Sequence, residues 1–229
     1  MGRPLVTLHF AQSLDGRIGF GPDRERALLS SAEGVSHAHR ARARNDAVLI
    51  GIRTLLHDNP LLTARGGEAR QPLRVVLDSE LRLPLTACLL EPREAAGAVL
   101  VFGSLERATQ GRQQALERAG AEVQLVRPDD VGRVALPDVL DELAARGVQR
   151  LLVEGGAGVI TSFLQSRLAV QVELEVAPWL LGAPALSAVQ ELGVAGLGQA
   201  LRLESMEVER LGQSLLVCGN LVYPERSGS

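Results

Sequence analysis

The tightest constraint on the fold is a set of short, mostly apolar runs, each stopped by turn residues. Ala47-Val48-Leu49-Ile50 ends at Gly51, Leu73 to Leu77 ends at Asp78-Ser79, and Ala98 to Phe102 ends at Gly103-Ser104. Runs of this length are too short for solitary helices and read as strands buried on both faces. Ala121 to Val126 and Arg150 to Val153 extend the series. Gln113 to Ala119 has helical spacing with Gly120 as its stop, and Pro137 to Arg146 opens on proline with Gly147 just beyond its end. Both patterns mark helix termini. Strands alternating with helices predict an α/β fold: a mostly parallel central sheet with helices on both faces.

The flanking segments complete that sheet. Pro4 to Ala11 alternates, with Val6, Leu8 and Phe10 on one face, and runs into the Asp15-Gly16 turn. Ser31 is placed to cap a helix running through His39, Ala41 and Ala43. Val159 to Leu168 is helical in spacing and Val172 to Pro178 strand-like. Leu201 to Glu209 and Ser214 to Val222 form a closing antiparallel pair around Leu211-Gly212-Gln213, predicting an antiparallel C-terminal edge. With no linker and no internal repeat, a single domain over residues 1–229 is expected.

Composition matters mainly for what it excludes. A net charge of −3 gives no basis for nucleic-acid or anionic-membrane partners. All 24 basic residues are arginine, which excludes a lysine Schiff base or a Walker lysine. Cys88 and Cys218 have no metal-ligand spacing and are expected to be buried and reduced. His9, His37, His39 and His57 show no ligand spacing, so no metal is expected, and neither Ser13 nor Ser104 sits in a GxSxG setting. No signal peptide or membrane span is visible, and a cytoplasmic location is expected.

Two stretches concentrate polar chemistry. The Ala47–Ile50 run opens into a segment holding Arg53, Thr54, His57, Asp58, Asn59 and Arg65, which reads as a polar loop. Loops at strand ends are where open α/β sheets place ligands. Glu154-Gly155-Gly156-Ala157-Gly158 follows a buried strand and opens a helix, a setting whose amides and dipole favour anions. Tight packing alone also selects such glycines. Glu154, placed before those amides, suits hydroxyls or ring N–H groups better than phosphate. Arg42, Arg53 and Arg65 are candidates for a phosphate-bearing ligand, because the guanidinium fork matches phosphate oxygens. Asp78-Ser79 is placed to meet a nucleotide ribose or its 2′-phosphate.

SLDGRIG at 13–19, HRARARNDAVLIGIRTLLHDNPLLTAR at 39–65, QPLRVVLDSELRLP at 71–84, LLVEGGAGVITSFL at 151–164 and APWLLG at 177–182 resemble the riboflavin-biosynthesis pyrimidine reductase domain. That domain is the C-terminal half of a bacterial bifunctional deaminase–reductase. The resemblance covers nearly the whole chain and implies a dihydrofolate-reductase-like fold, NADPH as cofactor and a homodimer, without the zinc-binding deaminase half. It implies NADP contacts at Ala11, Thr54 and Asp58, with Ser79 near the adenosine 2′-phosphate. Gly155, Gly156, Ala157, Gly158, Val159 and Thr161 match the pyrophosphate turn and helix. Arg42, Leu62, Arg65 and Glu154 fall at substrate positions, the arginines towards a ribose phosphate, and Glu154 and Asp58 are implied to manage protons.

The implied reaction is hydride transfer to C1′ of 5-amino-6-(5-phosphoribosylamino)uracil, a small phosphorylated ribosylamino-pyrimidine, giving the ribityl form. Reduction of another pterin-like or ribosylated heterocycle is the competing reading on the same fold. A non-catalytic nucleotide-binding protein is the alternative of a different class, and the retained Arg42 and Arg65 argue against it. The chain departs from the family at Arg26 and Leu28, where a serine and a tryptophan are usual. It departs again at Ala169-Val170-Gln171, where Val-Asp-Glu is usual.

Overall fold

The computed structural model describes residues 2–21, 28–65, 70–92 and 96–225. Its elements run β1 (Leu5–Ser13), β2 (Arg17–Gly19), α1 (Ala32–Arg44), β3 (Ala47–Gly51), α2 (Ile52–Asp58), β4 (Leu73–Leu77) and β5 (Val99–Ser104). They continue with α3 (Gln110–Arg118), β6 (Glu122–Val126), α4 (Leu136–Ala145), β7 (Arg150–Val153), α5 (Ala157–Gln165), β8 (Gln171–Ala177), β9 (Leu186–Ser187), β10 (Arg202–Leu211) and β11 (Ser214–Val222). The chain forms two compact units: one of residues up to Leu5 with Ser36–Gly156, the other of Val6–Val35 with Ala157–Ser229.

The first unit is built on five parallel strands in the order β7-β3-β4-β5-β6. Every residue of β3 and β5 is buried. Successive side chains of a strand point to opposite faces, so both faces of this sheet are covered. Val48, Ile50, Val76, Val101 and Leu152 form one core cluster with Leu55 of α2 and Leu116 of α3. Burying each such side chain is worth about 1.5–3 kcal/mol. The helices stop where glycine takes over: Gly120 and Gly147 follow α3 and α4 with φ of +93° and +82°, a conformation that costs a Cβ-bearing residue about 1–2 kcal/mol.

The second unit carries β10-β11-β8-β1. β1 and β8 are parallel, with Leu8 beside Val172, whereas β8–β11 and β10–β11 are antiparallel. Gly212, at φ +64°, turns the β10–β11 hairpin. β2 and β9 make a separate small pair. Asp15 locks the turn between β1 and β2. Its carboxylate accepts from the Ser13 hydroxyl and from the amides of Leu181 and Gly182, which together pull its pKa down to about 2.

The α/β class, the mostly parallel sheet and the antiparallel C-terminal edge are as the sequence predicts. Two expectations are corrected. The polar segment after β3 is not a loop at first: α2 occupies Ile52–Asp58, because Ile52 and Leu55 bury one face at i,i+3 spacing. Gly51 precedes it in extended conformation, and Asn59 at φ +44° ends it. The cysteines are free but only half-buried. Cys88 lies on Asn59, which accepts its amide (2.9 Å) and donates Nδ2–H to its sulfur (3.2 Å). Among the described residues, no helix is long and apolar enough to cross a membrane.

Candidate active site

Parallel strands deliver side chains to one end of a sheet, and in the first unit that end gathers most of the candidate residues. β3 leads into α2, β4 into Asp78-Ser79, and β7 into Glu154. Glu154 is fixed by its own amide, which donates to the Leu49 carbonyl (2.9 Å) and continues the β3–β7 pairing one step beyond the strand. Both carboxylate oxygens are gripped by Arg42 of α1: Nε donates to Oε1 (2.8 Å) and Nη2 to Oε2 (2.7 Å). The two side chains are only 16% and 11% exposed, so water screens this fork-to-fork pair weakly. Arg42 Nη1 also donates to the Thr63 carbonyl (3.2 Å).

His39 belongs to the same group, and the sequence reading did not select it. It lies three residues before Arg42 on α1, and its Nδ1 meets the Thr63 carbonyl at 2.9 Å. A carbonyl can only accept, so Nδ1 carries the proton and Nε2 is left as the base. Burial lowers the His39 pKa, the charges of Arg42 and Arg65 push the same way, and Thr63 and Glu154 oppose them. The available signal was the i,i+3 spacing with Arg42, which places both on one helix face.

Thr54 and Asp58 lie one turn apart on α2. The Thr54 hydroxyl accepts the Gly156 amide (3.0 Å), tying the glycine turn to α2. A Cβ at Gly156 would stand 3.0 Å from that oxygen, tighter than ordinary contact. The Gly156 amide is therefore committed to Thr54, whose own hydroxyl proton remains to donate. Asp58 accepts the Nδ1–H of His57 (2.8 Å).

The chain between α2 and Arg65 is bent by left-handed residues, Asn59 and then Leu62 at φ +56°. Leu62 costs about 1–3 kcal/mol in that conformation, and its side chain is fully buried in the core. A ligand would therefore meet Leu62 through its main chain. Buried Arg74 of β4 braces the segment, donating to the carbonyls of Leu89 (2.9 Å), Gly97 (2.8 Å) and, at longer range, Leu61 (3.4 Å). Arg65 is exposed.

At the end of β4, Ser79 is half-buried and its hydroxyl accepts the Val134 amide (3.1 Å). Asp78 faces inward instead. It is fully buried, one oxygen accepts the Leu83 amide (2.7 Å), and burial raises its pKa. The expectation that Asp78 meets a ribose is thereby corrected. A cleft of about 430 Å³ lies elsewhere, against Leu105, Val126 and α4. Its carboxylates, Asp138, Asp141 and Glu142, suit no phosphate ligand.

In the second unit, Ala11 lies on β1 opposite Glu175 of β8, and Ala157, Gly158 and Val159 form the first turn of α5. Thr161 is buried, with its hydroxyl donating to the Ala157 carbonyl (2.7 Å) and accepting the Gln190 amide (2.8 Å). Arg26 lies outside the described residues, and Leu28 is 70% exposed. At the second departure, Gln171 reaches Thr7 (3.4 Å) and Asn220 (3.2 Å), which makes it a link across three strands.

A family model described as the RibD C-terminal domain matches residues 4–217. The riboflavin biosynthesis protein RibD of Aquifex aeolicus is 32% identical over 216 residues, 94% of this chain and 57% of that protein. The 2,5-diamino-6-ribosylamino-4(3H)-pyrimidinone 5′-phosphate reductase of Methanothermobacter thermautotrophicus is 33% identical over 219 residues, 94% of this chain and 97% of that one. Among solved structures, a RibD of Acinetobacter baumannii superposes with a TM-score of 0.81 at 29% identity, covering 96% of this chain and 58% of its own. The chain thus spans a little over half the length of the RibD proteins it matches. It belongs to the RibD C-terminal domain family.

Proposed function

We propose that this protein is an NADPH-dependent reductase of a 5-phosphoribosylamino-pyrimidine. The observation that carries this reading is the position of Glu154. Its carboxylate is oriented by Arg42 one residue before a glycine turn that Thr54 ties to α2. A carboxylate suited to a polar substrate and a glycine turn suited to a dinucleotide are thus adjacent in the chain. The name of the archaeal relative, a ribosylamino-pyrimidinone phosphate reductase almost wholly covered by this chain, supports the same reaction class.

The fit to a dinucleotide rests on this chain's own groups. A Cβ at Gly156 would crowd the Thr54 hydroxyl, at 3.0 Å. The amides of Ala157, Gly158 and Val159 open α5, where unsatisfied N–H groups favour pyrophosphate. Thr54 and Asp58 on α2, Ala11 on β1 and Ser79 at the end of β4 complete the contacts we assign. The cofactor supplies the hydride. At the substrate C1′ a C–H bond forms while the C1′–O4′ bond breaks, and O4′ takes up a proton. Glu154, whose two oxygens both accept from Arg42, takes hydrogen bonds from the substrate's hydroxyl and ring N–H groups, and Arg65 holds the ribose phosphate. The His57–Asp58 pair, at the partly exposed end of α2, relays from solvent the one proton that O4′ takes up.

5-Amino-6-(5-phosphoribosylamino)uracil is the substrate in this reading, and the diaminopyrimidinone named for the archaeal relatives is the second candidate. A homodimer completes it, supported by Met206 and Val208, which stay exposed on edge strand β10. The test is loss of NADPH absorbance with each pyrimidine in turn. Glu154→Gln, which breaks the fork to Arg42 and the substrate contacts it orients, should lower kcat about a hundredfold while NADPH still binds. Oxidation with neither pyrimidine, or a Glu154→Gln enzyme within about threefold of wild type, overturns the assignment.

A further inference from the structure

We propose that Arg107 reads the adenosine 2′-phosphate together with Ser79, and so sets a preference for NADPH over NADH. The inference rests on the cofactor site proposed above and adds a residue to it. Backbone pairing sets the geometry at the ends of β4 and β5. The Ser104 amide donates to the Ser79 carbonyl (3.1 Å), and the Arg107 amide donates to the Ser104 carbonyl (3.2 Å). Arg107 is therefore carried on the turn that leaves the strand next to Ser79.

The side chains converge on a second turn. The Ser79 hydroxyl accepts the Val134 amide, and the Arg107 guanidinium lies against Gly132, two residues earlier. Gly132 has φ +78°, and a Cβ there would overlap the guanidinium. Glycine thus leaves room for a flat cation on the turn whose later amide holds the Ser79 oxygen. Because that oxygen is already an acceptor, its hydroxyl proton is the group left for a phosphate oxygen.

Three of the neighbouring arginines are more firmly committed. Arg127 forks onto Asp138 (2.8 and 2.9 Å), Arg112 binds the carbonyls of Leu81 and Leu83 (2.7 and 2.6 Å), and Arg133 pairs with Asp129 (3.1 Å). Among the described residues, Arg107 makes only long contacts, 3.4 Å to Glu80 and 3.5 Å to the Val131 carbonyl, with its side chain 45% exposed. Bonds of that length are weak and readily exchanged. Glu80 lies between Arg107 and Arg82, the latter at 3.5 Å. Two guanidiniums and one carboxylate leave one net positive charge, which a phosphate dianion meets and a bare ribose hydroxyl does not. The opposing arrangement has Glu80 accept from the ribose 2′-hydroxyl, as acidic residues do in NAD-preferring sites, and it predicts the reverse preference.

The experiment measures Kd for NADPH, NADH and 2′,5′-ADP by calorimetry on the purified chain, as wild type, Arg107→Ala and Glu80→Gln. The expected result is that Arg107→Ala weakens NADPH and 2′,5′-ADP about ten- to a hundredfold, and that the NADPH-to-NADH affinity ratio falls by as much. Glu80→Gln should tighten NADPH. Equal loss of both dinucleotides, no loss of either, or a wild type that prefers NADH overturns the proposal. The readout is binding, so a chain that binds 2′,5′-ADP through Arg107 but reduces neither pyrimidine retains this inference and loses the proposed reaction. A chain that reduces the pyrimidine with NADPH but is indifferent to Arg107→Ala does the opposite.

Discussion

The Thr63 carbonyl takes two donors, the His39 Nδ1–H and an Arg42 Nη1–H, and so joins a titratable ring to the pair that holds Glu154. This makes the His39 ring sensitive to pH in a predictable direction. Its folded pKa lies below the unfolded value of about 6.5, chiefly through burial. Between the two values the unfolded chain binds more protons than the folded one, so stability rises with pH. His39 thus costs nothing above about pH 6.5 and destabilises the fold as pH drops towards its folded pKa. Urea midpoints for wild type and His39→Gln should differ in slope. Wild type loses more stability between about pH 7.5 and about pH 5 than the variant does. Equal losses would show that His39 titrates alike folded and unfolded.

At the scale of elements, α1 depends on a residue distant in sequence. Its Ser31 hydroxyl accepts the Gly34 amide (3.0 Å), a standard N-cap, while the Ser31 amide donates to buried Glu175 of β8 (3.0 Å). A Cβ at Gly34 would overlap that carboxylate. Alanine in place of Gly34 would gain about 1 kcal/mol in helix propensity. Displacing the carboxylate would strand a buried acceptor, at about 1–3 kcal/mol, and give up charge stabilisation at the helix N-terminus. The loss wins, so Gly34→Ala should destabilise by about 1–2 kcal/mol in chemical denaturation. In a double-mutant cycle with Glu175→Ala, the Gly34 substitution should become neutral or favourable. A Gly34→Ala substitution that costs as much in the Glu175→Ala background as in wild type would contradict this steric account.

At the scale of the molecule, the sheet was legible because doubly covered strands read as near-continuous apolar runs. The runs at β3, β4, β5 and β7 carry that pattern openly. α2 was hidden because its seven residues expose most of their surface, leaving Ile52 and Leu55 as the only buried pair against a polar composition. In the site, Glu154 and the glycine turn were visible through their placement after a strand, whereas the bidentate Arg42 contact and the inward Asp78 depend on tertiary packing. Cofactor binding should register on the whole chain as well. A ligand that binds only the folded state stabilises it by RT ln(1 + [L]/Kd), about 2.7 kcal/mol at a hundredfold excess over Kd. A chain of this length gains about 2–4 °C in Tm per kcal/mol. NADPH at that excess should therefore raise Tm by about 5–11 °C in differential scanning calorimetry. The same concentration of NADH should raise it less, because a tenfold weaker Kd removes about 1.4 kcal/mol. A Tm that stays put under NADPH would remove the dinucleotide from this protein, and with it the roles assigned to Thr54, Ser79 and the first turn of α5.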